Sequence, residues 1–250
     1  MVGMEAKIYS QTFTVGFFEV DAKLCMAPVA YWRILQSAAA SHATLLEAST
    51  EALRLSGQTW MLSKMRLDIL HHPRIGDIVT IETWPATGSK AARAHRDFVL
   101  KNAEGEICAS ASCLWVIVNL ATRRPVRIPE SILAHRHDPG YSIPQLMDAT
   151  MAAPTNPQLE ASYRALWSDA DQNEHVNNVA MLRWAVDSLP LAFLETHELI
   201  HAEVHYRSEV RIGDIVDVLT KDIEGQIQQV VLNSTGAPVA NILTKWSNPA

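Results

Sequence analysis

Cysteine is scarce in this chain of 250 residues, and the three present, Cys25, Cys108 and Cys113, form neither a disulfide framework nor a CxxC pair. No apolar run reaches the roughly 18 residues that a membrane-spanning helix needs. The opening stretch, MVGMEAKIYSQTF, lacks the apolar core of a signal peptide. Basic residues are fewer than acidic ones, with 21 Lys and Arg and 27 Asp and Glu. The resulting net charge of −6 argues against nucleic acid as the main partner. We therefore expect a soluble cytoplasmic protein with reduced thiols.

What the chain does contain is a long-range repeat. RIGDIV occurs at residues 74–79 and again at 211–216. Around each copy, apolar and polar residues alternate, which predicts antiparallel strands. Before each copy lies a segment that is apolar almost all round, MAPVAYWRILQSAAASHATLLEAS or NNVAMLRWAVDSLP, which predicts a buried helix. One buried helix wrapped by a curled antiparallel sheet, present twice, predicts a tandem (double) hotdog fold of the α+β class.

Proline marks the division between the two copies. Six of the 12 prolines fall in residues 125–157, and proline disrupts both helix interiors and sheet ladders. We predict an N-terminal hotdog at 1–124, a connector at 125–157 that lies across the surface, and a C-terminal hotdog at 158–250.

The two copies differ where each helix begins. The first reads EVDAKLCMAPVA and the second DADQNEHVNNVA. Asp21 of the first copy aligns with Asp171, but Lys23 and Cys25 stand where the second copy has Asn173 and His175. The second copy therefore concentrates groups suited to acid–base and hydrogen-bond chemistry. The alternative interpretation is helix capping, which favours Asp and Asn at such positions but needs only one of them.

The stretch WSDADQNEHVNNVAMLRW resembles the D-x-D-x-N-x-H-V-N-N signature of the acyl-acyl-carrier-protein (acyl-ACP) thioesterases of bacteria and plastids. The likeness continues through HYRSEVRIGD and, in the first half, through HRDFVLKNAEGEI and LWVIVNLATRRPVRIPESI, and it covers nearly the whole chain. It implies a bacterial member that hydrolyses fatty acyl-ACP thioesters to free fatty acid and holo carrier protein. It also implies no cofactor, and a first hotdog that holds the acyl chain and has a degenerate site.

By this resemblance Asp171, Asn173 and His175 take the catalytic positions of the family, and Glu209 takes its acidic position. The family often has a cysteine after that acid, but this chain has Val210, so a Cys–His mechanism is excluded there. Strict alternation places Glu209 on the polar side of its strand. It reaches the site if the strand bulges near Ser208 or if the site lies on the outward face between the halves, and the alternative is a solvated carboxylate.

The residue types suit attack on a thioester in two ways. Asp171 or Glu209 can act as a base toward water, or Asp171 can attack the carbonyl to form a mixed anhydride. The sequence leaves both routes open. We predict that the oxyanion is stabilised by backbone N–H groups at the helix start, those of Val176, Asn177 and Asn178.

HELIH, residues 197–201, has the residue types of the H-E-x-x-H zinc motif at every position. Its place in the repeat is that of a strand entrance, where the two histidines would lie about 13 Å apart, so we predict no metal. Clustered arginines are predicted to dock the acidic carrier protein and its acyl-phosphopantetheine: Arg123, Arg124 and Arg127. Lys90, Arg93 and Arg96 form a second basic group, and ordinary solvated surface is the alternative for both.

Three other functions were weighed against acyl-ACP hydrolysis. The first is an acyl-CoA thioesterase, which the residues do not distinguish. The second is a hotdog enoyl-thioester hydratase, whose D-x-N-P-x-H-like arrangement is absent, because here the histidine follows the asparagine by two residues with no proline between. The third is a non-catalytic acyl-binding module, which the retained polar residues oppose. Acyl chain length cannot be read from the sequence, and a homodimer stays open.

Overall fold

The computed structural model describes residues 7–146, 149–171, 175–223 and 225–247. The chain divides after Leu146 into two compact units, inside the proline-rich segment predicted as the connector. No helix in these ranges is long and apolar enough to cross a membrane. The elements of the first unit are β1 (Tyr9–Thr14), α1 (Pro28–Leu45), α2 (Thr50–Arg54), β2 (Gln58–Ile69), β3 (Ile78–Pro85), β4 (Arg93–Lys101), β5 (Ile107–Asn119) and α3 (Glu130–Leu133).

The second unit repeats this order in the residues described. Its elements are β6 (Gln158–Arg164), α4 (Asn178–Asp187), α5 (Leu191–Thr196), β7 (Glu198–Tyr206), β8 (Ile215–Ile223), β9 (Gln226–Asn233) and β10 (Pro238–Ser247). Its strands lie in the order β6-β8-β9-β10-β7, and those of the first unit in the order β1-β3-β4-β5-β2. All the pairs are antiparallel, so the two units share one topology. The predicted double hotdog is confirmed.

The repeated RIGD sequence forms the same turn in both units. Gly76 and Gly213 both have φ of +90°, a left-handed conformation that a residue with a Cβ adopts only with strain. The aspartate after each glycine closes its turn, since the Asp77 carboxylate accepts the N–H of Arg74 at 2.7 Å and that of Asp214 accepts the N–H of Arg211 at 3.0 Å. The requirements of this turn, a left-handed glycine and an aspartate that closes it, therefore explain why the RIGD residues recur.

Each long helix buries one face against its own sheet. In α1 this face includes two large aromatic side chains, Tyr31 and Trp32, and smaller residues further along. In α4 it includes Met181, Leu182 and Trp184, and the helix ends before Pro190, as the sequence predicted. In each unit the loop that differs between the copies leads directly into the long helix.

The proline-rich segment packs on the units through specific contacts. Ile128, Leu133 and Ile143 are buried, and the Tyr141 hydroxyl donates to Glu82 at 3.0 Å. Its later part lies on the second unit, where the Met151 carbonyl accepts hydrogen bonds from two side chains, Asn241 at 2.7 Å and Arg207 at 2.6 Å. The connector therefore lies across the surface, and side-chain contacts hold it there.

Candidate functional site

The loop before α4 folds as a short hairpin. The Asp171 N–H donates to the His175 carbonyl at 2.8 Å, and the Asn177 N–H donates to the Asp169 carbonyl at 2.7 Å. This pairing places Asp171 and His175 across from each other near the start of the helix. The third residue of the predicted set, Asn173, lies outside the described residues.

Capping does not account for the polar cluster. The cap of α4 is Asn177, whose side-chain oxygen accepts the Val179 N–H at 2.9 Å. One residue satisfies this requirement, so Asp171 and His175 are not needed for it.

Glu209 reaches the site because its strand is interrupted. Strand β7 ends at Tyr206, and the N–H groups of Arg207 and Ser208 both donate to the Val239 carbonyl, at 2.9 and 3.4 Å. Two residues opposite one is the pattern of a β-bulge, which shifts the alternation of side chains. The bulge expected near Ser208 is therefore present, and Glu209 does not follow the alternation of β7.

The side chains of His175 and Glu209 lie in contact at the candidate site. Nε2 of His175 lies 3.3 Å from Oε2 of Glu209, and the two side chains are 25% and 31% exposed. The pair is open enough for a substrate yet partly shielded from water. The next residue, Val210, is buried, and its carbonyl accepts the Val176 N–H at 2.9 Å, so it contributes only packing and backbone contacts.

The first copy has the same loop backbone without this pair. The Asp21 N–H donates to the Cys25 carbonyl at 2.9 Å, which matches the pairing of the second copy. Oδ1 of Asp21 accepts two N–H groups of its own loop, from Lys23 at 2.9 Å and Cys25 at 3.2 Å. In the alignment through RIGD, His72 stands where the second copy has Glu209.

Two of the three predicted oxyanion donors are engaged within the loop. The Val176 N–H donates to Val210, and the Asn177 N–H donates to Asp169. The prediction for these two residues is therefore wrong, because each N–H already has a carbonyl acceptor. Asn178, the first residue of α4, stays a candidate donor, since backbone N–H groups at a helix start point outward along its axis.

The thiols are not placed for nucleophilic attack. All three cysteines are buried. Burial raises the pKa of the Cys113 thiol to about 12 and also raises the pKa of Cys108. The Cys25 sulfur accepts a hydrogen bond from Arg74 at 3.3 Å. Because the thiolate is the nucleophile, Cys108 and Cys113 stay protonated and inert near neutral pH.

HELIH does not form one helical face. His197 follows the end of α5 and stacks on Phe193 at 4.0 Å between ring centroids, whereas Glu198 begins strand β7. The strand predicted for this stretch is confirmed from Glu198 onward. Within the described ranges, no three His, Cys, Asp or Glu side chains are grouped so as to hold a metal ion.

The predicted docking arginines lie on the surface of the first unit. Arg123, Arg124 and Arg127 are all exposed in the segment after β5. Arg127 lies 3.4 Å from Glu130, and both side chains are about three-quarters exposed, at 77% and 75%. Such a contact is weak in water, so it leaves the positive character of the group largely in place.

Arg96 does not belong to a surface patch. Its guanidinium Nη1 lies 3.0 Å from Nδ1 of the buried His42 and donates to the Thr83 hydroxyl at 3.2 Å. Burial lowers the pKa of Arg96 to about 10. The sequence grouped it with Lys90 and Arg93, which are exposed, and that grouping is wrong because Arg96 points into the unit.

Two buried carboxylate contacts, one an ion pair and one a hydrogen bond, were not found from the sequence. Asp169 lies 2.7 Å from Arg183 at the base of the loop, and Glu203 lies 2.8 Å from His205 in β7. Nδ1 of His205 accepts the Met151 N–H at 2.9 Å, so Nε2 carries the proton and donates to Glu203. No pattern in the sequence indicates the first contact, because its two residues stand 14 positions apart. The contact between Glu203 and His205 could not be predicted because the connector, through Met151, takes part in it.

Comparisons with known proteins agree across the chain. The family model described as the acyl-ACP thioesterase N-terminal domain matches residues 6–135, and the model of the acyl-ACP thioesterase C-terminal domain matches residues 152–248. A palmitoyl-acyl carrier protein thioesterase of Gossypium hirsutum is 29% identical over 238 residues, covering 90% of this chain and 57% of the relative. Oleoyl-acyl carrier protein thioesterase 1 of Arabidopsis thaliana is 28% identical over 229 residues, covering 85% and 63%. The chain thus spans roughly three-fifths of the length of these relatives.

Solved structures share the fold. An acyl-ACP thioesterase from Bacteroides thetaiotaomicron superimposes with a TM-score of 0.88 at 22% identity, covering 96% of this chain and 98% of that one. A 12:0-ACP thioesterase from Umbellularia californica gives 0.83 at 24% identity, covering 99% and 100%. Because models of both domains match in order and together cover most of the chain, the chain belongs to the acyl-ACP thioesterase family.

Proposed function

We propose that the protein hydrolyses fatty acyl-acyl-carrier-protein thioesters, releasing free fatty acid and holo carrier protein. The catalytic residues in this proposal are Asp171, Asn173, His175 and Glu209. The observation that carries it is the 3.3 Å contact between His175 and Glu209 beside the Asp171 loop, found in the second of two otherwise matching loops. The similarity to proteins named as acyl carrier protein thioesterases supports the same reaction.

Hydrolysis requires a base, an oxyanion donor and a leaving thiol. In the first route, a water oxygen adds to the thioester carbonyl carbon while its proton passes to the carboxylate of Asp171 or Glu209. The C–S bond then breaks, and the same carboxyl returns the proton to the departing sulfur. Since an ordinary thiol has a pKa near 8.5, this sulfur leaves readily.

In the second route Asp171 is the nucleophile. A carboxylate oxygen attacks the carbonyl carbon, the C–S bond breaks, and the acyl group is held as a mixed anhydride that water then cleaves. Glu209 and His175 would activate that water. The second route needs an ionised Asp171, whereas the first needs an ionised carboxylate at either Asp171 or Glu209, and the proposal keeps both routes.

The proposal gives the two units different roles toward the carrier-bound substrate. The first unit, with its degenerate loop, holds the acyl chain, and its exposed group of Arg123, Arg124 and Arg127 docks the acidic carrier protein and its phosphopantetheine. The second unit supplies the reacting groups.

The experiment is incubation with a panel of saturated acyl carrier-protein thioesters and the matching acyl-CoA thioesters. We expect free fatty acid and holo carrier protein to appear in equal amounts, with higher kcat/KM for carrier-bound substrates. Release of acid from none of the carrier thioesters would contradict hydrolysis. A higher kcat/KM for every acyl-CoA would instead favour the acyl-CoA thioesterase.

A further inference from the structure

A buried carboxylate forms the base of the catalytic loop. Asp169 has a side chain only 1% exposed. Its Oδ1 accepts a hydrogen bond from Nη2 of Arg183 at 2.7 Å, and its Oδ2 accepts the Leu166 N–H at 2.8 Å. Its own carbonyl accepts the Asn177 N–H at 2.7 Å. Asp169 is therefore bound on one side to helix α4 and on the other to both ends of the loop.

The position of the reacting groups depends on this base. Within the described part of the hairpin, a backbone hydrogen bond joins Asp171 to His175, and the Val176 N–H donates to the Val210 carbonyl at 2.9 Å. The ion pair between Asp169 and Arg183 adds a side-chain contact that ties the base of the hairpin to the helix. Arg183 stands five residues beyond the first residue of α4, so the orientation of the hairpin base depends on a residue inside the helix.

The first copy lacks this ion pair. Glu19 occupies the position of Asp169, since its carbonyl accepts the Ala27 N–H at 2.9 Å and its Oε2 accepts the Gly16 N–H at 3.0 Å. Arg33 aligns with Arg183 but is exposed, and no ion pair of Arg33 occurs within the described part of the chain. The ion pair thus occurs only in the copy that carries Asp171 and His175.

We propose that Arg183 is a positioning residue for hydrolysis, acting through Asp169 on the loop that presents Asp171 and His175. This rests on the proposed function. Arg183 does not touch the reacting groups. A buried carboxylate that loses its counter-charge must move toward water or take up a proton, and either change alters the hairpin base. A displacement of about 1 Å at reacting groups can lower turnover about a hundredfold.

The test compares matched variants on the carrier thioester that the unmodified chain hydrolyses fastest. We expect Arg183→Gln to lower kcat about ten- to a hundredfold, with KM changed less than about threefold. Arg183→Lys keeps the charge on a shorter side chain and should recover part of that loss. Arg33→Gln makes the same change at the aligned position without an ion pair, and its kcat should equal that of the unmodified chain.

A second variant separates positioning from folding. Asp169→Asn keeps an oxygen for the Leu166 N–H and leaves no buried carboxylate without a counter-charge, yet it too breaks the ion pair, so kcat should fall about tenfold. Because both changes remove one interaction, the Asp169→Asn/Arg183→Gln double variant should be no slower than the slower single variant. Asp187→Asn removes the weaker contact of Arg183, at 3.9 Å, and should leave kcat unchanged.

Thermal melts accompany each assay. The proposal is overturned if folded Arg183→Gln keeps the kcat of Arg33→Gln, if Asp169→Asn keeps full kcat, or if the losses appear in KM alone. A chain that hydrolyses no carrier thioester before any substitution contradicts the proposed function itself. An active chain whose Arg183 variants stay fully active contradicts only the positioning role.

Discussion

At the scale of single residues, an aspartate at the same loop position has different surroundings in the two copies. Asp21 and Asp171 occupy equivalent positions in loops with the same backbone pairing. The Asp21 carboxylate holds two N–H groups of its own loop, whereas Asp171 lies in the loop whose His175 contacts Glu209. The difference lies in the surroundings and not in the residue.

This difference predicts unequal effects of one substitution. Asp171→Asn removes a basic, nucleophilic oxygen at nearly constant volume and should lower kcat by a factor on the order of a hundred to ten thousand. Asp21→Asn should leave kcat within a few-fold and reduce stability by about 1 kcal/mol through a weaker loop cap. The measurement is kcat and KM for each, with thermal melts. A folded Asp21→Asn protein as slow as Asp171→Asn would contradict the division of labour between the copies.

The sequence indicated Asp171 and His175 as candidates because chemistry depends on residue type, and the second loop carries the types that the proposed hydrolysis needs. It failed on the backbone donors, since whether the N–H of Val176 is free depends on which carbonyl folds against it. It left Glu209 uncertain for a similar reason. A bulge depends on the backbone pairing of two strands, and the residue types of Arg207 and Ser208 do not predict it.

At the scale of elements, strand β4 shows that both faces of a sheet can be buried. Arg96 points inward to His42, and the next residue, Asp97, is buried on the opposite face. Burial raises the pKa of the Asp97 carboxyl, the nearby Ser112 side chain opposes this shift, and the negative charge of Asp138 adds to it. A pattern of alternation predicts a solvated face only when nothing covers it, and here the connector does.

Asp97→Asn should therefore stabilise the protein near neutral pH. Because the pKa of the Asp97 carboxyl is higher in the folded chain than in the unfolded chain, burying the ionised carboxylate lowers the stability of the fold. This loss of stability is fully present when the pH is above the folded-state pKa. As the pH falls through that value to below the ordinary carboxyl range, both states are protonated and the penalty disappears. We expect a melting temperature higher by a few degrees at neutral pH and a gain that shrinks in acid.

Glu104→Gln is the control for this pH dependence, because Glu104 is an exposed carboxylate of the same unit. Its melting temperature should track that of the unmodified chain at every pH. An Asp97→Asn gain that persists unchanged in acid would show that charge burial is not its cause.

At the scale of the whole molecule, the sequence was most informative about repetition. The second RIGDIV predicted a second unit, and the strand orders of the two units correspond one to one. The glycine of each turn requires a left-handed φ, so the motif recurs wherever the topology does. Ionic contacts such as Arg183 with Asp169 join residues 14 positions apart and carry no periodicity from which they could be predicted.

The acidic carrier protein should respond to the charge of the first unit. If Arg123 and Arg124 dock the carrier as proposed, reversing both to Glu should raise KM for carrier-bound substrate about tenfold, because the proposed docking surface loses its complementary charge. KM for a short acyl-CoA should change little. Lys7→Glu with Arg33→Glu makes the same charge change at other exposed positions and should leave both KM values unchanged. An equal rise for both substrates would contradict docking at this group.

The two loops also have a genetic consequence. Where a single-unit protein assembles from identical copies, one codon specifies both loops, and any change appears in each. In this chain residues 25 and 175 occupy the same place in the same hairpin, yet separate codons encode them. Selection can therefore keep a histidine at one while the other drifts to cysteine, and a single gene can acquire two loops with different duties without passing through a form that has lost both.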